Sequence, residues 1–487
     1  MDSPIGETII DMTVAHVIGE GMEPEPTPDA NFLGWSRQET REWKQKWLRY
    51  FNTWAESTSC DFYRRNNFFE LQRLLLRSQL ESGDVFALLP RKKRVNMPFM
   101  LTIQAVEADC VADPNVIDSW QQFRKGKDVY GGVQIDQNGK IEGYWFYVGP
   151  GRHPLAIRKP VNYWQDATKS DWVFIPAYGK KTGMPNVLHL MQSTRPNQRR
   201  GVPLLTPAME HILIGDRYIR AEARAADSKA RVTIFVGSEN PDLLVGEAEN
   251  FTERQGEKLG VSYDNDDIIF GDSLVQYGRP GEAPQVLASP GPPSSFPAFM
   301  QIILEIIGAA CKVPAGLIRL KYDSSYSATR GELNTAGRMF AIRQAAFTGD
   351  FNQPIYEALM DEAVMFGYID CPGYFNPDGS INYIVRKAYN RAKWHGPGIT
   401  AIDEGDDVKT CLAAMSAGLM TGGDATSKLG YGDFYENVEE RGREIQASVE
   451  AGLPAAAAAV MTSSSQAVQA AEAAVNGEQQ QEGVAGE

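Results

Sequence analysis

The stretch that decides the fold is PLLTPAMEHILIGDRYIRAEARAADSKA, Pro203–Ala230, because it predicts one long helix. Two series of residues recur in it every seven positions: Leu205, Ile212, Ile219 and Ala226, and then Met209, Asp216, Ala223 and Ala230. Such a seam, sustained over several turns, is typical of a helix that packs against other long helices. The other face carries Arg217, Arg220 and Arg224, which we expect to form its polar face. Gly215 weakens the helix locally.

A second long helix is predicted at FPAFMQIILEIIGAACK, Phe296–Lys312. It is apolar on nearly every side, so we expect most of its surface to be buried. The intervening residues 231–295 are interpreted as a compact α/β insertion that ends in the helix-breaking run SPGPPSSFP. A loop at residues 314–327 then leads to a third long helix that ends near Phe347.

In the region before the first long helix, the spacing of the apolar residues changes along the chain. Residues 1–35 are rich in Gly, Pro and acidic residues and are interpreted as an arm. Ser36 and Glu39 form a capping box that opens a helix, and a second helix is predicted over Asn67–Glu81. The tryptophan-rich face of the first helix carries Trp43, Trp47, Tyr50 and Trp54. Predicted strands follow at Val85–Leu89, Leu101–Val106, Val133–Ile135, Tyr144–Val148, Val173–Ile175 and Val187–Met191, with a hairpin turn at Asn138-Gly139. Residues 36–202 therefore combine helices with a β-module, and the fold class is α+β.

The C-terminal region is predicted to be mainly helical. Residues 328–400 hold the third long helix and a return segment, and residues 401–453 form further helices. Residues 454–487 are mostly Ala, Ser, Gln and Glu without Lys or Arg. A segment of this composition is expected to be disordered or weakly helical.

Composition excludes several classes of protein. The 487 residues are 43% hydrophobic and 23% charged, as in folded globular proteins. No apolar run reaches the roughly 18 residues that span a bilayer, and the N-terminus lacks a secretory pattern, so we expect a cytosolic protein without membrane contact. The five cysteines show no CxxC spacing and support neither a disulfide framework nor a zinc knuckle. A net charge of −14 argues against tight, sequence-reading DNA binding.

The stretch FGDSLVQYG, Phe270–Gly278, looks like the nucleophile block of a GDSL-type serine esterase. Such an enzyme needs a histidine base, which that family supplies in an Asp-x-x-His pair. None of the five histidines has an Asp three positions before it. We therefore interpret Asp266–Phe270 as a strand followed by a turn containing Ser273, and predict no catalytic residue. A serine hydrolase using Ser273 is retained as the enzyme alternative.

Four charged segments have both a purely structural and a functional interpretation. The run that holds Asp264, Asp266 and Asp267, and the pair Asp406-Asp407, are more typical of solvated loop ends than of metal sites, so we predict no metal or cofactor. The basic run Arg91–Arg94 is either a solvated loop or a contact for phosphate or an acidic partner. The segment KYDSSYS, Lys321–Ser327, supplies serines that suit a helix cap. With Arg319, it also makes a polar tip suited to a moving phosphate backbone.

Six stretches in chain order resemble lambda-type phage portal proteins. They are FFELQRLLLRSQLESGDVFALL (Phe68–Leu89), IQAVEADCV with GGVQIDQNGKIEGYWFYV (Ile103–Val111 and Gly131–Val148), RPNQRRGVPLLTPAMEHILIGDRYIRAEARAADSKA (Arg195–Ala230), SLVQYGRPGEAPQVLASPGPPSSFPAFMQIILEIIGAACKVPAGLI (Ser273–Ile318), YDSSYSATRGELNTAGRMF (Tyr322–Phe340) and MSAGLMTGGDATSKLGYGDFYENVEERGRE (Met415–Glu444). The resemblance implies a ring, with twelve subunits, at one capsid vertex of the virion, assembled in the host cytoplasm. Double-stranded DNA would pass through it without sequence-specific contact during packaging and ejection.

The resemblance also implies an architecture and partners. Residues 36–202 resemble the wing, 203–230 and 296–313 the two stem helices, 231–295 the clip, 314–327 the tunnel loop and 401–453 the crown. Implied partners are the terminase large subunit, which supplies ATP hydrolysis, a head–tail adaptor, and the major capsid protein or scaffold. Candidate tunnel-loop residues are Arg319, Lys321, Tyr322, Asp323, Ser324 and Ser325, and candidate clip contacts are Asp264, Asp266, Asp267, Asp272 and Arg279. A monomeric phage adaptor protein remains the second alternative.

Overall fold

The computed structural model describes residues 3–114, 128–149, 157, 171–180, 182–230, 234–237, 267–270, 273–278, 296–321, 325–398, 404–432 and 434–451. The chain divides into two compact units. The smaller unit comprises Met1–Ile10 and Leu204–Ser324, and the larger comprises Asp11–Pro203 and Ser325–Glu487. Helices and antiparallel sheets occur together, which confirms the α+β class.

The described helices and strands have the following bounds. The helices are α1 (Pro4–Val17), α2 (Ala30–Leu33), α3 (Arg37–Ala55), α4 (Phe68–Ser82), α5 (Met209–Ala230), α6 (Phe296–Cys311), α7 (Ala315–Arg319), α8 (Tyr326–Phe347), α9 (Gln353–Met365), α10 (Tyr383–Tyr389), α11 (Glu404–Ser416), α12 (Gly422–Leu429) and α13 (Phe434–Glu450). The strands are β1 (Glu23–Pro26), β2 (Asp84–Leu88), β3 (Gln104–Glu107), β4 (Asp128–Tyr130), β5 (Val133–Ile135), β6 (Ile141–Tyr147), β7 (Trp172–Pro176), β8 (Val187–Met191), β9 (Ile234–Gly237), β10 (Asp267–Phe270), β11 (Ser273–Gly278) and β12 (Ala392–His395). None of the described helices is long and apolar enough to cross a membrane.

Helix α3 of the larger unit starts as its sequence predicts. The Ser36 hydroxyl accepts a hydrogen bond from the backbone N–H of Glu39, and the Glu39 carboxylate accepts one from the N–H of Ser36. This reciprocal pair satisfies two donors that an uncapped helix leaves open. Trp43, Trp47 and Trp54 are buried, which confirms that the tryptophan-rich face packs inward.

An aromatic core holds the larger unit together. Phe51 and Phe68 are fully buried and meet edge-on with their ring centroids 5.8 Å apart. Tyr356, from α9, meets Trp47 at 5.5 Å in a T-shaped pair. Each buried aromatic ring removes a large apolar area from water, so this cluster dominates the stability of the unit.

Two antiparallel sheets form the β-module. Three strands pair in the order β3-β2-β8, and four pair in the order β4-β5-β6-β7. Strands β5 and β8 have the predicted bounds, and Gly139 makes the predicted turn in the left-handed region at φ 81°. The short strand β4 was not predicted. Phe86, Val133 and Phe146 are fully buried in one apolar cluster between these strands.

The N-terminal segment differs from the irregular arm expected from its composition. Helix α1 buries Ile9, Ile10 and Val17 completely. Strand β1 pairs antiparallel with β12, which was also not predicted, in the register Glu23 to His395. Half of the eight Gly and Pro residues of this segment lie inside α1 or β1, so their number does not exclude regular structure. The apolar spacing inside α1 is the signal that indicates its helix.

A buried ion pair joins the two ends of the β-module. Asp84 is fully buried, and its carboxylate accepts two hydrogen bonds from the guanidinium of Arg200, at 2.6 and 3.1 Å. His189 Nε2 lies 3.0 Å from the same carboxylate. Arg200 also donates to the carbonyl oxygens of Ala108, Val111 and Gly131. One guanidinium therefore ties four segments of the module together.

This pair makes the stability of the larger unit depend on the charge of Asp84. Burial alone would raise the pKa of Asp84, but the hydrogen bonds from His189 and Arg200 and the positive charge of Arg200 outweigh it and hold the pKa well below its usual range. The lowered pKa stabilises the folded chain above the unfolded-state pKa of about 3.9, and this contribution is lost as the pH falls further.

We predict that Asp84→Asn lowers the free energy of unfolding by about 3 kcal/mol, because it leaves Arg200 without its buried partner. Urea unfolding followed by circular dichroism measures the change. The matched control is Asp370→Asn, whose side chain is 91% exposed and which should stay within about 0.5 kcal/mol of the parent. Equal effects of the two substitutions would contradict this role for Asp84.

Candidate assembly interface on the paired long helices

Helices α5 and α6 run antiparallel within the smaller unit. Near the start of α5, the thiol of Cys311 lies 3.9 Å from the carbonyl oxygen of Leu204. Further along, the ring of Tyr218 meets Phe296 and Phe299 with centroids 5.3 and 4.8 Å apart. The end of α6 thus lies beside the start of α5, and the start of α6 lies beside its middle.

A single apolar layer joins the two helices. Its buried members are Leu205, Ala208, Ile212, Ile303, Ile307 and Cys311. The predicted seven-residue seam supplies Leu205 and Ile212 to this layer, but its next member, Ile219, is 42% exposed. Helix α5 begins at Met209, after a 3-10 turn at Thr206–Ala208, and not at Pro203 as expected. The seam is therefore covered only in its first part by the described chain.

Helix α6 carries an exposed apolar stripe next to the face that packs on α5. Phe299, Ile302 and Ile306 are 42%, 54% and 41% exposed, and their spacing places them on one face. Within the single described chain α6 is covered on one side only, so burial of most of its surface stays a prediction for the assembled protein. Contiguous exposed apolar side chains of this kind mark interaction surfaces. We call these three residues the α6 stripe.

Helix α5 exposes a mixed face. Met209 and Leu213 are 48% and 55% exposed near its start. Arg217, Arg220 and Arg224 are also exposed and continue the same face along the helix. The predicted polar face is thus cationic in its later turns and apolar in its first ones.

The segment expected to be a tunnel loop contains a short helix. Helix α7 buries Gly316, Leu317 and Ile318 and ends at Arg319. Its end is closed by Leu320, in the left-handed region at φ 53°, and by a hydrogen bond from the Lys321 N–H to the Gly316 carbonyl. The apolar residues Leu317 and Ile318 indicate this short helix, but the polar residues that follow them led us to expect a loop.

The remaining tunnel-loop candidates lie around the start of α8. Lys321 and Ser325 are exposed. Ser325 occupies the N-cap position of α8, as expected, but its side chain makes no capping hydrogen bond. Tyr322, Asp323 and Ser324 lie outside the described residues.

The candidate clip residues fall largely outside the described chain. Strand β11 pairs antiparallel with β10 and parallel with β9, and Asp267 opens β10 opposite Gln276. The other candidates, Asp264, Asp266, Asp272 and Arg279, lie outside the described residues. Ser273 opens β11 opposite Phe270, and not within a turn as expected. Within the described ranges, no cluster of three His, Cys, Asp or Glu side chains could hold a metal ion.

Two glycines in this unit allow a test of the helix packing. A Cβ on Gly215 would meet Ile303 at 3.5 Å, which is ordinary contact. A Cβ on Gly308 would overlap the carbonyl oxygen of Val313, where the chain turns after α6. The first position has room for a methyl group and the second does not.

We predict that Gly215→Ala raises the free energy of unfolding by about 0.5–1 kcal/mol, because alanine loses less backbone entropy in a helix. Gly308→Ala should lower it by at least about 1 kcal/mol, because the added methyl group forces the turn to shift. Thermal unfolding of the two variants measures both effects. A destabilised Gly215→Ala beside an unaffected Gly308→Ala would contradict the packing described.

Comparisons with known proteins give the family. The family model described as phage portal protein, lambda family, matches residues 1–344 of the 487. Among solved structures, a chain of the virion of a native gene transfer agent particle is 12% identical, with a TM-score of 0.38, covering 87% of this chain and 98% of that one. A chain from the neck of the native particle, computed with C12 symmetry, is 13% identical at the same TM-score, covering 87% and 99%. These identities and TM-scores are too low to assign a function, but the family match spans well over half of the sequence. The chain belongs to the lambda family of phage portal proteins.

Proposed function

We propose that this portal protein assembles into a closed ring of twelve subunits at one vertex of a phage capsid. Double-stranded DNA passes through the channel of the ring when the genome is packaged and ejected. The number twelve rests on the family resemblance. The observation that supports assembly most directly is the α6 stripe, whose three apolar side chains stay exposed in the single chain.

A closed ring requires two different surfaces on each subunit. Head-to-tail contacts are heterologous, so the surface that one subunit presents on one side meets a different surface of the next. The α6 stripe is one such surface, and the apolar start of α5, at Met209 and Leu213, is a second. We propose that they pack on each other between neighbouring subunits, because both then leave water.

The cationic part of α5 suits a different contact. Arg217, Arg220 and Arg224 are exposed side chains on one helix face. We propose that they, together with Arg319 at the end of α7 and with Lys321, meet the phosphate backbone of the passing DNA. Phosphate contacts position a duplex without reading its sequence, as a conduit requires. The net charge of −14 keeps such contacts local and prevents strong adhesion of the whole surface.

The partners proposed are those of the packaging and head-completion steps. The clip, residues 231–295, docks the terminase large subunit during packaging and a head–tail adaptor afterwards. Its candidate contacts remain Asp264, Asp266, Asp267, Asp272 and Arg279. The major capsid protein or a scaffold surrounds the ring in the virion, and assembly takes place in the host cytoplasm. The proposal assigns no catalytic step, metal or cofactor to the chain itself.

We predict that Ile302→Gln combined with Ile306→Gln abolishes ring assembly while the chain stays folded. Loss of partial burial at two side chains weakens each subunit contact by about 2 kcal/mol, or about 30-fold, and a closed ring accumulates this loss at every interface. Sedimentation velocity measures the assembly state, and circular dichroism checks the fold.

The control for this test is Phe32→Gln, on α2 of the larger unit. Phe32 is 55% exposed, as much as Ile302, but lies outside the proposed interface. The control should assemble like the parent. Unchanged assembly of the Ile302/Ile306 double variant would contradict the proposed interface.

We predict that removing Tyr322, Asp323 and Ser324 leaves ring assembly intact but reduces the amount of DNA packaged or retained. The expected cause is loss of the loop that contacts the phosphate backbone. Nuclease protection of packaged DNA measures the effect, and sedimentation velocity confirms that rings form.

A matched variant replaces Lys321–Ser325 with a Gly/Ser loop of equal length. This variant separates the length of the loop from its polar and charged side chains. Packaging at the parental level by rings of the shortened variant would exclude a role for the loop in handling DNA.

A further inference from the structure

Two loops of the larger unit lie side by side beside strand β3. The backbone N–H of Phe62 donates to the carbonyl of Ile103 at 2.8 Å, and the N–H of Ile103 donates to the carbonyl of Cys60 at 2.7 Å. The loop before β3 is closed by a backbone bridge between Arg91 and Leu101. The segment 60–66 and the loop 91–101 therefore form one surface.

The buried side chain of Arg94 links the two loops by hydrogen bonds. Its side chain is buried, and its guanidinium donates to the carbonyl oxygens of Asp61 and Phe62 at 2.7 and 3.0 Å. The ammonium group of Lys92 lies 5.2 Å from the centre of the Phe62 ring. These contacts hold the exposed lysines of one loop next to the exposed arginines of the other.

Four cationic side chains are exposed on this surface. They are Arg64, Arg65, Lys92 and Lys93, which we call the basic patch. Burial, and then the positive charge of nearby Arg64, lowers the pKa of Arg94. The fold thus brings like charges together in a chain whose net charge is −14. Only half of the patch belongs to the basic run that is visible in the sequence.

Two acidic side chains of the adjoining segments, Asp61 and Glu362, are buried and bonded to backbone N–H groups. Asp61 is buried, and its carboxylate accepts hydrogen bonds from the backbone N–H groups of Tyr63, Arg65 and Asn66 at 2.8–3.2 Å. Glu362 is also buried, and its carboxylate accepts from the N–H groups of Met100 and Leu101. Glu362 lies 3.8 Å from Arg91, which is therefore left out of the patch.

The two loop tips are held in fixed conformations. Arg64 and Asn96 adopt the left-handed region, at φ 57° and 64°. Residues other than glycine rarely adopt this region unless their surroundings impose it. For Arg64 the restraint is local, because its two flanking neighbours are hydrogen-bonded to Asp61. The cations are presented on an ordered surface.

We propose that the basic patch binds the phosphate backbone of double-stranded DNA without reading its sequence. This inference rests on the proposed function and adds a second DNA contact, in the larger unit, to the candidates on α5 and the tunnel loop. Each phosphate that a Lys or Arg neutralises releases a counterion, so binding weakens steeply as the salt concentration rises.

Phosphates fit this surface better than an acidic peptide. The side chains that accompany the patch, Tyr63 and Val95, are 47% and 86% exposed. The Tyr63 hydroxyl accepts a hydrogen bond from Gln104 Nε2 at 2.9 Å, and both side chains are too exposed to offer a peptide side chain a covered apolar site. A phosphate backbone needs only protruding cations, because its affinity comes from charge neutralisation.

The test uses the full chain and a short mixed-sequence DNA duplex as the probe. Fluorescence anisotropy gives the association constant over a series of NaCl concentrations. We expect Lys92→Gln with Lys93→Gln to reduce the slope of log K against log salt by about 1.8, since each lost phosphate contact removes about 0.9. Arg64→Asn with Arg65→Gln should have a similar effect, and asparagine suits the left-handed position.

The matched control is Lys140→Gln with Lys428→Gln, which removes two exposed lysines from other elements of the same unit. The control should keep the parental slope. Slopes of the patch variants equal to that of the control would overturn the proposal and leave an acidic protein as the partner to be sought.

Sedimentation velocity on the same samples separates this inference from the proposed function. If the patch variants form rings but keep the parental slope, DNA binding by the basic patch is refuted and the proposed ring is not. Chains that show the expected slope change but form no rings would support the patch and contradict the ring.

Discussion

The exposed apolar side chains of helix α6 are the feature on which assembly of this protein depends, because water solvates them unfavourably. Helix α6 uses one face to pack on α5 through Ile303 and Ile307, and presents Phe299, Ile302 and Ile306 on another. Exposed apolar surface costs free energy until a second surface covers it. The chain belongs to the lambda portal family, and we propose that a neighbouring subunit covers this surface. The stability of the α5–α6 pair and the assembly of subunits are then coupled.

The larger unit differs, because its described core is built from side chains of one chain. Aromatic rings around Phe51 and Phe68 fill its core, and the Asp84–Arg200 pair satisfies buried polar groups from several segments. Because several contacts hold each segment at once, this packing also keeps surface loops in place. The basic patch is an example, since the buried Arg94 orders two loops whose exposed cations would otherwise repel each other.

Features that depend on neighbouring residues could be predicted from the sequence, and those that depend on distant ones could not. The capping box at Ser36 and Glu39 is local, and the start of α3 was predicted correctly. The repeat of Leu205 and Ile212 likewise predicted the long helix and its packed face. Helix α7 was missed because a few apolar residues stand before a polar segment. The basic patch was only half visible, because Arg64 and Arg65 join Lys92 through tertiary contacts. For the α6 stripe, composition showed apolar residues all round, but not which of them the same chain covers.

The decisive experiment on ring assembly is electron microscopy of the purified protein, with rotational analysis of end-on views. We expect closed rings with a central channel and twelvefold symmetry. Uniform single particles near the 53.9 kDa mass of one chain, under conditions in which the chain is folded, would contradict it.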